Sequence, residues 1–69
     1  MAETPLPDDA AIIASAYAER VRDLFKVLTE AVYTGEPERE AVVRFRRGLT
    51  SARRVYAAAI EAMRETDKT

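Results

Sequence analysis

Two stretches of nearly equal length, residues 9–33 and 37–65, place apolar side chains at helical spacing on either side of one short turn. In the first, the seam reads Ala10, Ala14, Tyr17, Val21, Leu24, Leu28, Ala31, alternating steps of four and three. Ala18, Phe25 and Val32 widen it on one flank, and Ile13 and Val27 on the other. The second seam reads Val42, Phe45, Leu49, Ala52, Tyr56, Ala59, Met63. Ala41, Gly48, Val55 and Ala62 broaden one side of it, and Ile60 the other. Each stripe is broader than one neighbouring helix can cover. A pair of such helices therefore needs more than each other.

The segment between them, Thr34-Gly35-Glu36, carries a stop and a restart. Gly35 stands where the residue after a helix end takes left-handed geometry, which costs glycine nothing. Pro37 suits the first position of a new helix, where its missing N–H would be unpaired in any case. Glu36, Glu38 and Glu40 crowd that terminus, where the helix dipole favours negative charge. A turn this short makes antiparallel neighbours, pairing residues whose numbers sum to roughly 71. Phe25 then falls level with Phe45, Leu28 with Val43, and Val21 with Leu49.

Ahead of the first helix, residues 1–7 read as a loose arm, since Pro5 and Pro7 discourage helix and extend the residue before them. Asp8 is the expected N-cap. Residues 66–69 read as a frayed tail. Gly48 is the one local exception, because glycine inside a helix costs about 1 kcal/mol relative to alanine. With Ala52 one turn on and Ala41 two turns back, it predicts a close helix–helix crossing.

Size adds to the shortage of cover. A chain of 69 residues buries little surface, and small scaffolds usually add disulfides, a metal or a second chain. Cysteine and histidine are both absent, so neither disulfides nor thiolate or imidazole metal sites can be built. Self-association remains. The expected fold is all-α: a two-helix antiparallel hairpin (residues 8–65) that dimerises into a four-helix bundle.

The same absences remove most catalytic chemistry, since the commonest general base and the commonest nucleophile dyads need histidine or cysteine. Two glycines cannot build a phosphate-cradling loop. No enzyme activity and no cofactor is expected. Glu19 and Asp23, four apart on one helix, could share a divalent cation. Arg20, Arg22 and Lys26 beside them favour a solvated face or salt bridges instead, and no metal is expected.

Charge is distributed unevenly. Residues 39–54 hold six arginines against one glutamate, net +5, while the remainder holds five basic and eleven acidic side chains, net −6. Arg46, Arg47, Arg53 and Arg54 repeat at a seven-residue interval and form two adjacent rows along the second helix. They are the candidate partner-binding residues. Guanidinium rows can track phosphates or bind carboxylates in bidentate fashion. Alternatively, Arg46 and Arg53 border the apolar stripe, where their stems can cover the core and their heads pair with Glu19 or Asp23. Interleaved aromatics for base stacking are missing, because Phe45 and Tyr56 belong to the seam.

These features describe a non-enzymatic interaction module, an adaptor, chaperone-like or regulatory subunit whose partners are itself and another protein. The alternative is a nucleic-acid-binding regulator using the same arginines together with Arg44. A membrane role is not expected, since no apolar run approaches the ~20 residues of a span and the polar faces carry both charge signs. The missing cysteines and the lack of a signal-peptide pattern suit the cytoplasm. Nine arginines against two lysines, with thirteen alanines, suit a GC-rich bacterial gene.

Overall fold

The computed structural model describes residues 8–67. They form two helices, α1 (Asp9–Tyr33) and α2 (Glu38–Asp67), packed against each other as a hairpin. The start of α1 is the expected one. Asp8 has extended backbone, and its carboxylate accepts the Ala10 N–H at 3.0 Å, satisfying a donor that the first turn leaves open.

The turn closes as the glycine predicted. Gly35 sits at φ +91°. The Glu36 N–H donates to the Ala31 carbonyl at 3.0 Å and the Gly35 N–H to the Val32 carbonyl at 3.2 Å. This paired arrangement satisfies carbonyls that the last turn of α1 would leave open. The Thr34 hydroxyl adds a third bond, donating to the Ala31 carbonyl at 3.1 Å. Pro37 lies one position earlier than the sequence suggested. Its carbonyl accepts the N–H groups of Glu40 and Ala41, both at 3.1 Å, so it caps α2 and the helix begins at Glu38. At the other end α2 outruns the expected stop at residue 65. Thr66 is helical, its hydroxyl donating to the Ala62 carbonyl at 3.0 Å. The expected N-terminal arm and the last two residues of the expected tail lie outside the described residues.

Two cross-pairs set the register. The rings of Tyr17 and Tyr56 meet with centroids 5.0 Å apart at a 44° tilt. Nearer the turn, Leu24 presses on Gly48, and a Cβ built there would lie 2.5 Å from Leu24 Cδ2. The same register brings Ala31 level with Ala41, the only two buried residues among those described. The helices are therefore antiparallel, offset by a residue or two from the sequence estimate. Gly48 marks the close crossing that its position implied.

The hairpin is a single layer, with principal extents of 58 × 26 × 7 Å. Domains normally enclose a core between two layers. Here Tyr17, Val21, Leu24, Leu28, Val42, Phe45, Leu49 and Tyr56 are only partly covered, and no large side chain among the described residues is fully buried. Phe25, expected opposite Phe45, is 62 % exposed. It lies on the flank of the α1 stripe, which points out of the layer rather than across to α2. Val43, expected beside Leu28, also remains exposed. Ile12 and Tyr33, outside both stripes, are exposed as well.

Substitutions on each face test this packing. Leu24→Ala and Leu49→Ala should each cost near the lower end of the ~2–5 kcal/mol typical of core leucines, because both keep some contact with water. Glu30→Ala, on the exposed face, should stay within about 0.5 kcal/mol. Equal chemical-denaturation midpoints for the three variants would contradict the assignment of faces. Gly48→Leu should lower the melting temperature despite a propensity gain of nearly 1 kcal/mol, because overpacking a tight crossing typically costs about 1–3 kcal/mol. A higher melting temperature would show that Leu24 can move aside freely.

Candidate functional site

A one-layer hairpin has two broad faces, and these two differ in chemistry. One carries a groove of ≈ 490 Å³ running between the helices on the side of Gly48. Its walls are Ile13, Ala16, Tyr17 and Arg20 from α1, and Ser51, Ala52, Val55, Tyr56 and Ala59 from α2. Gly48 and the alanines leave its floor shallow of side chain, and Val55 at 68 % exposure stands on its α2 wall. Arg20 is the one charged residue among these lining groups. The groove is the apolar stripe's uncovered half, which the breadth of the sequence pattern implies without locating.

The opposite face carries Phe25 and Val32, seven residues apart on α1 and both exposed. On α2 the matching flank is an arginine row. Arg46 and Arg53 are seven apart and therefore nearly in line along the helix, separated by about 10 Å at 1.5 Å per residue. Arg39 lies seven residues before Arg46 and extends the row. Sequence reasoning missed Arg39 as a site residue, although the heptad interval that picked out the others reaches it. Arg47 and Arg54 form the second row, one residue further around and facing away from α1. Arg46 and Arg47 meet around a shallow hollow completed by Val43, Thr50 and Ser51. The structure thus places the four candidate arginines in two parallel exposed rows.

The expected pairing of Arg46 and Arg53 with Glu19 and Asp23 is not formed. Among the described residues, no ion pair joins Arg39, Arg46, Arg47, Arg53 or Arg54 to a carboxylate. The reason is angular. Glu19 and Asp23 lie towards the outer and groove sides of α1, whereas Arg46 and Arg53 flank the other face of the layer. Glu19 instead meets Arg22 on its own helix at 3.5 Å. Arg44, counted with the arginines in the nucleic-acid reading, is engaged elsewhere. Its guanidinium pairs with the Glu36 carboxylate, tying the start of α2 back to the turn. Both pairs are well exposed, so each contributes at most about 1 kcal/mol.

Among the described residues, no helix is long and apolar enough to cross a membrane. No family model, curated protein or solved structure matches the chain. The two faces are therefore the guide to function.

Because the four arginines make no ion pair among the described residues, charge reversal should leave the fold intact. Arg47→Glu with Arg54→Glu, and separately Arg46→Glu with Arg53→Glu, should each keep the helical circular-dichroism signal and shift stability by no more than about 0.5 kcal/mol per site. A cooperative loss of helix in either double variant would show that the row is structural.

Proposed function

We propose that this protein is a non-enzymatic interaction module, an adaptor, chaperone-like or regulatory subunit that works in the cytoplasm. It pairs with a second copy to complete a four-helix bundle and presents Arg46, Arg47, Arg53 and Arg54 to an acidic protein partner. The observation that carries this reading is the uncovered apolar surface on both sides of a one-layer hairpin. Such surface is costly in water at about 25 cal/mol per Å², so it favours association. An amphipathic partner helix laid across it would gain by the same burial. The arginines suit an acidic partner because carboxylates match the guanidinium fork in geometry as well as in charge.

A second reading, nucleic-acid binding through the same arginines, is favoured by their lack of carboxylate partners among the described residues. Arg44 supports it less, being held by Glu36. Salt separates the two readings. Four phosphate contacts predict a loss of affinity of about 10²-fold between 50 and 200 mM salt, through counterion release. An apolar groove contact with a few rim charges should change far less.

Sedimentation equilibrium at micromolar concentration should give about twice the 7.7 kDa chain mass. A folded protein sedimenting at 7.7 kDa would refute self-association. Titration with duplex DNA and with RNA at low salt then tests the second reading. Absence of binding to both removes it. Capture of an acidic helical partner that is lost in the Arg47→Glu, Arg54→Glu variant, with the mass unchanged, supports the first.

A further inference from the structure

We infer that the second copy docks on the groove face, lined by Ile13, Tyr17, Ala52, Val55, Tyr56 and Ala59, and that the Phe25 face stays open for the acidic partner. The inference rests on the self-association proposed above and decides which side of the layer it uses.

A two-fold interface lays a surface against itself, so whatever charge the surface carries meets its own copy. The two faces differ sharply in the charge their helical rows carry. On the Phe25 side of α1, the row through Ala18, Phe25 and Val32 is apolar, and the next row holds Ser15, Arg22 and Thr29. On the same side of α2, one row holds Arg39, Arg46 and Arg53, and the next Val43, Thr50, Ala57 and Arg64. The residues named hold five arginines and no carboxylate, and of the five only Arg22 has a carboxylate partner among the described residues, Glu19 on its own helix. Apposed to itself, that face would press like charges together, which suppresses pairing. An acidic partner would meet the opposite condition.

The groove face is mixed. Asp9, Ala16, Asp23 and Glu30 follow one another at seven-residue intervals along its α1 edge, and Arg20 stands inside. On the α2 edge the corresponding row holds Arg44, Ser51, Ala58 and Glu65. Both signs are present at the rim and the centre is apolar. Such a surface can satisfy its own copy.

Area shows that a single face suffices, whichever it is. α1 is 25 residues long, and two adjacent helices at 1.5 Å per residue and about 10 Å of width each present a face of roughly 750 Å². A standard stable interface takes about 800 Å² from each partner. One face of the hairpin is therefore enough, and the other is not needed for pairing.

The chain contains no cysteine, so single cysteines report cleanly on each face. Val55 and Phe25 are matched probes, 68 % and 62 % exposed in the single hairpin. In the Val55→Cys variant, alkylation should be slowed at high protein concentration and recover on dilution. At about ten times the dissociation constant, mass action should slow it several-fold. In the Phe25→Cys variant the thiol should react at the same fast rate at every concentration. Protection at 25 without protection at 55, or at both positions, would overturn the face assignment.

A second measurement does not depend on thiols. Val55→Glu should return the mass to that of one chain, or abolish folding at concentrations where the parent is dimeric, whereas Phe25→Glu should leave the dimer mass unchanged. A dimer that survives Val55→Glu overturns the assignment. A parent protein that is monomeric throughout would instead defeat the self-association reading itself, and with it the choice of face.

Discussion

Two helices lying side by side can shield only the strip where they touch, and nearly every property of this chain follows from that geometrical limit. Each side chain in the seam has protein on one side and water on two. Among the described residues, burial is reached only at two small side chains, Ala31 and Ala41 beside the turn. Larger seam residues such as Leu24, Phe45 and Leu49 are left half-covered. Local terms hold the helices in shape, through the Asp8 cap, the left-handed Gly35 and the carbonyl of Pro37. They do not enclose a core. Chains of this size usually obtain the remaining stability from a second chain, a metal or disulfides, and this one has no cysteine or histidine for disulfides or for thiolate or imidazole metal sites.

Much of this is legible in the amino-acid order because it is encoded locally. Helix ends depend on a few residues each, so Asp8 and Gly35 mark them correctly, and α1 has the bounds its periodicity implies. Gly48 is equally readable, since a glycine inside a good helix-forming stretch needs a reason, and Leu24 supplies it. What the order of residues does not show is which flank of a broad stripe turns inward. Phe25 and Ile13 are both apolar and both border the α1 seam, yet one stands on the arginine face and the other lines the groove. Periodicity establishes the width of a stripe but leaves its centre undetermined by about one residue's rotation.

The same angular freedom explains the misplaced ion pairs. Glu19 does share a level along the hairpin with Arg53, and Asp23 lies between the levels of Arg46 and Arg53, but level is only one coordinate. The second, rotation about each helix, puts these groups on different sides of the layer, and short-range partners on the same helix or across the turn take their place. Three of the six arginines in residues 39–54, Arg39, Arg46 and Arg53, thus fall on one face with no carboxylate partner among the described residues. A chain with a net charge of −1 can in this way keep a side that is locally basic.

Three levels of the register also form a progression. Alanine lies level with alanine next to the turn, leucine presses on glycine further along, and tyrosine meets tyrosine towards the free ends. Spacing between packed helices follows the side chains at the contact. The side chains at these levels are thus smallest beside the turn and largest towards the free ends. The groove lies where they are largest. Tyr17 and Tyr56 close the layer beneath the groove and also form part of its walls, so exchanging either for a smaller side chain would change the packing between the helices and the surface offered to an occupant in the same step.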